Sequence, residues 1–481
     1  MKIQRYKKTH RYMFTGLAEV VLIPAIVFLS QGCKKLIEIP PPVNTITQKQ
    51  VFSNDLQATN AAASMFYYMV NTQYGFAGAG MTLFGGLSSD ELALFNAENQ
   101  DFLQFQQNTL SSRNPWNDAL WTNAYTTIYA ANAIIEGLQA NAGVHDSVKN
   151  ELTGEAKFVR AFTHFYLVNL YGDIPLILTT NYTNTSLNSR TAANKVYDQV
   201  ETDLKDAQQL LSADFSVGHG ERIIPTKWAA LAMLARIYLY RKDFTNAEAA
   251  ATQLIDNPIF GLATTPNDVF VTSSPEAIWQ LRQNNEGDVP NLNATFEGWR
   301  FIPLDSTTQP FIVLTPALMN SFELGDTRRK DWIDSTNYGG SLNYFPKKYK
   351  LGPLDAVIGG AYTEYYMVLR LAEQFLIRAE ARAMNNKLSD GVADLNAVRA
   401  RANLEPTVVT SLPDILSAIA QERRIEFMAE WGHRWLDLKR TGQATAVLGP
   451  IKTNWRTEAM LFPLPLHEVT TDPNLKQNPG Y

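Results

Sequence analysis

The chain has 481 residues, 45% of them apolar and 11% aromatic, which is ample for a large buried core and excludes a disordered or fibrous protein. Its formal net charge is −5; residues 1–32 contribute +4 through five basic groups and one acidic group, which leaves −9 for the remainder. That balance argues against nucleic acid as a partner and against adsorption to anionic lipid.

The amino terminus reads as a secretion signal. Lys2, Arg5, Lys7, Lys8 and Arg11 make a basic head, an apolar stretch follows from Val20 to Leu29, and Ser30, Gln31 and Gly32 lead into Cys33. The apolar core is about half of the ~20 residues a membrane-spanning helix requires. Cys33 is the chain's only cysteine, so an intrachain disulfide is excluded. A signal that closes on cysteine is similar to the signals of bacterial lipoproteins, in which the thiol is acylated and becomes the first mature residue. Cys33 is therefore expected to carry the lipid; the plainer alternative is a stray thiol near an ordinary cleavage site. The "KKLIEIPPP" that follows reads as a short extended tether, because proline cannot continue a helix.

Beyond the tether the chain is dominated by helical periods. Residues 71–115 interrupt them early, with "YGFAGAGMTLFGG" and scattered polar and aromatic residues. Trp116, Leu120, Ala124, Ile128, Ala131, Ile135 and Leu138 then step by three or four, one face of a helix, which places Trp116 and Trp121 in the core. A second helix runs through "GEAKFVRAFTHFYLVNLYGDIPL" and is stopped by Gly172, Asp173 and Pro175. Val196, Val200, Leu204, Ala207 and Leu211 mark a third. In "LAMLARIYLYRKDFTNAEAAATQLIDNP" the spacing of Leu231, Leu234, Ala235 and Tyr238, then Ala247, Ala251 and Pro258, is close to that of a tetratricopeptide unit. Residues 259–365 lack helical period and are rich in Pro, Gly, Asn and aromatics. Helical spacing returns with Leu369, Ala372, Leu376, Ala379 and Ala383, followed by Val392, Leu395, Val398 and Ala402. The expected fold is mainly α: a tetratricopeptide-like scaffold of helical pairs carrying large insertions with a few short strands. Insertions of this size are usually functional, so 71–115 and 259–365 are expected to supply binding surface.

Three stretches resemble one family. They are "GEAKFVRAFTHFYLVNLYGDIPLI" (154–177), "LRLAEQFLIRAEARA" (369–383) with "LNAVRARA" after it, and "AQERRIEFMAEWGHRWLDLKRTG" (420–442) before the terminal "LFPLPLHEVTTDPNLKQNPGY". With "GDTRRKDWI", "YFPKKY" and the opening cysteine, they resemble the SusD/RagB family of outer-membrane nutrient-binding lipoproteins. The resemblance implies a lipoprotein signal over 1–32, an N-terminal SusD-like region with tetratricopeptide-like helix pairs over 33–300 and a C-terminal SusD/RagB region over 301–481. It implies a lipid-anchored, surface-exposed protein of the outer membrane in Bacteroidetes-type bacteria. It further implies capture of oligosaccharide, without catalysis or cofactor, and delivery to a SusC-like TonB-dependent transporter. Binding of peptide or another nutrient is the alternative, and a surface glycoside hydrolase a third.

Motifs for other chemistry are poor. His10, His145, His164, His219, His433 and His467 are dispersed and no H-E-x-x-H occurs, so no metal site is expected. "GAG" at 78–80 continues into neither a phosphate-binding loop nor a dinucleotide fingerprint, and "GLSSD" at 86–90 lacks the second glycine of a nucleophile elbow. His164 on an apolar helix reads as a core residue. Glu422, Glu426 and Glu430 recur one helical turn apart. They read either as a carboxylate pair for acid/base work or as members of a buried Glu/Arg network, with Arg423, Arg424, Arg434 and Arg440 as available partners; the resemblance to the family implies the network. A glycosidase needs only two carboxylates at a set separation, so the pattern of residues leaves that reaction open.

A sugar presents flat apolar faces and hydroxyls, so a binder pairs aromatic rings with Asn, Asp and Arg. In the two irregular regions the candidates are Tyr74, Phe76, Asp90, Phe95, Asn96, Trp279, Arg282, Trp299 and Tyr344. They are expected to form a shallow site from 71–96 and 279–300, with Trp299 as the stacking residue.

Overall fold

The computed structural model describes residues 48–72, 74–283 and 292–481. The signal-like segment, Cys33 and the proline tether lie outside these. The helical periods fold as antiparallel pairs. In chain order the helices are α1 (Asp55–Val70), α2 (Met81–Ser88), α3 (Gln100–Gln107), α4 (Pro115–Ala140), α5 (Asp146–Tyr171), α6 (Ala193–Leu210), α7 (Lys227–Tyr240), α8 (Phe244–Ile255), α9 (Phe296–Phe301), α10 (Leu371–Met384), α11 (Leu388–Arg401), α12 (Leu412–Glu426) and α13 (His433–Arg440). From α4 to α8 each helix packs on the next, and α10 packs on both α8 and α11. The stack of helical pairs thus leaves at residue 256, passes through a strand-containing insertion, and resumes at α10.

Local chemistry sets the ends of these helices. Asn114 caps α4 by accepting from the N–H groups of Trp116 and Asn117, with Pro115 in the first turn. α5 stops at Gly172, whose φ of +74° suits glycine best. Small residues let the pairs approach. Ala229, Ala232, Ala235, Ala247 and Ala251 are fully buried between α7 and its neighbours. A Cβ at Gly391 would lie 2.8 Å from the Ala379 carbonyl, which fixes a glycine where α11 crosses α10. His164 is buried with Nδ1 2.9 Å from the Arg160 carbonyl, and burial pushes it down to about 3, so it is a neutral core residue.

Among the described residues six short strands form three two-stranded antiparallel sheets: β1 (Leu92–Leu94) with β3 (Ile312–Leu314), β2 (Ala277–Leu281) with β6 (Tyr366–Arg370), and the hairpin of β4 (Ile333–Tyr338) and β5 (Ser341–Pro346). The hairpin turns on Gly339 and Gly340, both at positive φ, the requirement of a two-residue turn that matches strand twist. β1–β3 and β2–β6 join segments far apart in sequence, and Val51–Tyr481 forms one compact unit.

Residues 74–94 depart from the expectation of an exposed loop. They form a π-helical turn (Phe76–Gly80) running into α2, and every residue of both is buried. The glycines at 75, 78, 80, 85 and 86 dilute the apolar period, which hides the helix in the sequence. They also permit its burial: a Cβ on Gly85 would come within 2.6 Å of the Gly432 Cα, and one on Gly80 within 2.5 Å of the Gly75 carbonyl.

Candidate ligand-binding surface

The charged motif at 420–440 is a frame. Glu422, Glu426 and Glu430 are buried, and their partners come from distant segments. Arg328 donates to Glu422 (2.5 Å), Glu426 (2.8 Å) and Asp326 (2.9 Å). Arg370 reaches Glu426 (2.5 Å) and Glu430 (2.8 Å); Arg401 pairs with Glu426 and Glu276, and Lys348 with Glu430 (2.9 Å). The guanidiniums around Glu426 hold its carboxyl well below the usual range. The expected partners are engaged elsewhere: Arg423 and Arg440 share Asp437, while Arg424 and Arg434 clamp Asp90. Residues at spacings of three or four were the near candidates in sequence, but the chain brings β6, α11 and the insertion onto the buried face of α12.

That frame accounts for Asp90, which is 4% exposed and spends both carboxylate oxygens on Arg424 and Arg434. Three of the aromatic candidates are also interior. Tyr74 sits among Phe84, Phe102, Trp116 and Phe296; Phe76 lies by Phe162 and Tyr166. Trp279 is fully buried against Phe158 and Phe162, and its indole N–H donates to the Ile223 carbonyl (3.1 Å). A ring closed in on both faces has none left for a sugar, so the expectation of an exposed site fails at Tyr74, Phe76, Asp90 and Trp279. Trp121 is buried, and Trp116 is half-buried and stacked on Phe102.

Five candidates keep accessible surface. Phe95 and Asn96 follow β1 and are half-buried, as are Trp299 on α9 and Tyr344 on β5; Arg282 is exposed and lies over the Tyr362 ring, 4.4 Å from its centroid. The Phe95 ring meets Tyr338 of the hairpin edge-on, with centroids 5.5 Å apart. The Phe95 N–H donates to the Phe311 carbonyl (3.3 Å), and Arg300, next to Trp299, sits over the Phe311 ring at 4.8 Å. The Ser306 carbonyl accepts from the Thr336 hydroxyl (2.6 Å) and the Asn337 N–H (3.0 Å), which ties the 302–311 loop to β4. The end of β1, the end of α9, this loop and the β4–β5 hairpin therefore bring Phe95, Arg300 and Tyr338 together, with Asn96 and Trp299 their neighbours along the chain. Sequence reading missed Arg300 and Tyr338. The available signals were the position of Arg300 beside Trp299 and the "YGGS" turn, which exposes the residue before it.

Two buried carboxyls lie next to these elements along the chain. Glu297, two residues before Trp299, is pushed up to about 8 by burial, as is Glu91 just before β1. Among the described residues neither carboxyl oxygen of Glu91 has a hydrogen-bond partner, no three His, Cys, Asp or Glu gather to hold a metal ion, and no helix is long and apolar enough to cross a membrane. The surface offers aromatic edges, a guanidinium and an amide on a rigid base, the means of a polar ligand binder.

A mainly helical scaffold of paired helices with such an insertion defines the class, and comparison with known proteins places the chain within it. Residues 62–239 match the family described as "Starch-binding associating with outer membrane", and residues 319–481 match the SusD family. The chain belongs to the SusD/RagB family. A SusD-like protein, P2, of Formosa agariphila is 28% identical over 96% of this chain and 98% of its own length. A crystal structure of a SusD superfamily protein from Bacteroides vulgatus superposes with a TM-score of 0.77 at 21% identity, over 89% of this chain and 99% of that one. A surface glycan-binding protein A from Bacteroides fluxus gives 0.74 at 22% identity, over 88% and 99%.

Proposed function

We propose that this protein is a non-catalytic lipoprotein of the outer-membrane surface that captures oligosaccharide and hands it to a SusC-like TonB-dependent transporter. Membership of a family described as starch-binding, and likeness in fold to a surface glycan-binding protein, support the ligand class. The observation that carries the site is the joint placement of Phe95, Tyr338 and Arg300 beside Trp299 on one braced surface. In this reading Phe95, Trp299 and Tyr338 stack on sugar faces, Asn96 and Arg300 bond hydroxyls, and Arg282 and Tyr344 extend the contact. Acylation at Cys33 anchors the body, and the tether holds it near its transporter, raising effective concentration without new contacts.

Incubation with a panel of plant and host glycans tests the class: retention without turnover is expected, whereas released product makes the protein a hydrolase and retention of peptides alone makes it a peptide binder. Trp299→Ala is expected to weaken binding of the retained glycan by about 1–3 kcal/mol, the worth of one buried aromatic side chain, with the melting temperature preserved. Unchanged affinity removes Trp299 from the site. Gentle detergent extraction is expected to co-purify the transporter, and Cys33→Ala to cut nutrient uptake while the soluble protein still binds ligand. Mass spectrometry finding a free thiol at Cys33 refutes the anchor.

A further inference from the structure

A cavity of about 510 Å³ opens among α10, α12 and α13, lined by none of the residues assigned to glycan. This volume falls in the range of about 300–1,000 Å³ common to small-molecule sites. One wall is apolar: Pro413, Leu416, Leu438 and Val447. The other carries Arg423, Arg434 and Arg440 with Glu380 and Asp437.

The charges on that wall do not balance. Arg440 takes both oxygens of Glu380 (2.7 and 2.8 Å) and one of Asp437; Arg423 takes the other oxygen of Asp437 through Nε (2.8 Å). Arg434 shares Asp90 with Arg424. The lining thus holds three guanidiniums against two carboxylates, one guanidinium in surplus; Asp90 and Arg424 lie outside it. Burial pushes Glu91, the acid near Arg424 and Arg434, up to about 8, which weakens it as a counter-charge. His433, which faces Arg423 and Asp437, is pushed down by burial and adds no charge. Arg423, only 2% exposed, also keeps its Nη1 without a hydrogen-bond partner among the described residues. A buried cationic donor left unmade costs free energy that an anion recovers.

We propose that this cavity binds a small organic monocarboxylate: one negative charge offsets the unmatched guanidinium, and an apolar body lies against Leu416, Leu438 and Val447. An apolar wall beside a single surplus charge disfavours both a neutral sugar and a multiply charged anion. The assignment does not rest on the glycan reading.

Calorimetric titration of the mature chain at fixed ionic strength, with benzoate, its neutral isostere benzamide and inorganic phosphate, tests it. Benzoate is expected to bind one per chain, with benzamide and phosphate each at least tenfold weaker. Arg423→Gln strips Asp437 of a partner and threatens the fold, so the decisive variant is Ala420→Trp. That residue is exposed on α12, lines the cavity and belongs to no ion pair. It is expected to lower benzoate affinity at least tenfold while leaving the melting temperature and glycan binding unchanged. Absence of benzoate binding, equal affinity for benzamide or phosphate, or an unaltered affinity in Ala420→Trp overturns the proposal.

Discussion

The buried carboxyls give single residues leverage over stability. Burial raises Glu91, Glu155 and Glu297 from an ordinary 4.5 to about 8. Between those values the folded chain keeps protons that the unfolded chain has released. Their contribution is therefore complete below about pH 4.5 and is lost as the pH rises toward about 8, each group adding a slope of about 1.4 kcal/mol per pH unit. Asp90 and Glu430 have the opposite sign. Arg434 and Arg424 hold Asp90 down, and Arg370 and Lys348 hold Glu430 down, so their stabilisation is present above the ordinary carboxylate range and fades as the pH falls. Melting temperature is expected to peak in mildly acidic buffer. Glu91→Gln, a neutral isostere, should flatten the decline between pH 5 and 8; a profile parallel to that of the unaltered chain would contradict the assignment. Arg370→Ala takes one of three guanidiniums from Glu426 and leaves Glu430 only Lys348, and should cost about 3–5 kcal/mol in urea unfolding. Arg423→Ala, which leaves Asp437 only Arg440, should likewise lower melting temperature more than glycan affinity, and the reverse ranking would bring the ligand to α12.

At the scale of elements, glycines decide where helices meet. α2 crosses the start of α13 with Gly85 against Gly432, whose φ of +68° also needs glycine. Gly85→Ala drives a methyl into backbone and should destabilise by about 1–3 kcal/mol, read as a lower urea midpoint at unchanged slope. The β4–β5 hairpin is held the same way. Replacing Gly340 by Val forces a branched residue to positive φ, at about 1–2 kcal/mol, and displaces Tyr338 from Phe95. Helical circular dichroism is expected to persist in that variant while glycan affinity falls; retained affinity would show that the hairpin is no part of the site.

Across the whole molecule, the insertion and the helical stack are stitched together. β2 pairs with β6 across the insertion, Arg328 reaches α12, and Asp90 reaches the residues before and within α13. Residues 51–300 and 301–481 are therefore proposed as parts of one cooperative unit. Calorimetry on Val51–Tyr481 should show a single transition, and a fragment beginning at residue 301 should stay unfolded, since it lacks Glu276 and the strand that β6 pairs with. Two well-separated transitions would contradict this.

Local chemistry sufficed wherever a residue's surroundings are its own neighbours along the chain. The three-and-four spacing from Trp116 to Leu138, the stop at Gly172 and the alanines of α7 and α8 were readable because a helix buries residues at a fixed period. The burial of His164 followed from the same periodicity, whereas the structural role of Glu426 followed from the resemblance to the family. Tertiary structure decided the rest. The glycine-rich stretch at 75–86 looked open because it lacks bulk, yet lack of bulk is what lets it enter the core. Exposure of Phe95, against burial of Tyr74 and Trp279, depends on which strand pairs where. So does the choice of Arg328, Arg370 and Arg401 over the nearer Arg423 as partners of α12. Sequence determined which segments are helices and which residues bear charge or rings. Only long-range pairing decided which of those groups still face water, because solvent exposure is a property of the packed chain and not of the residue.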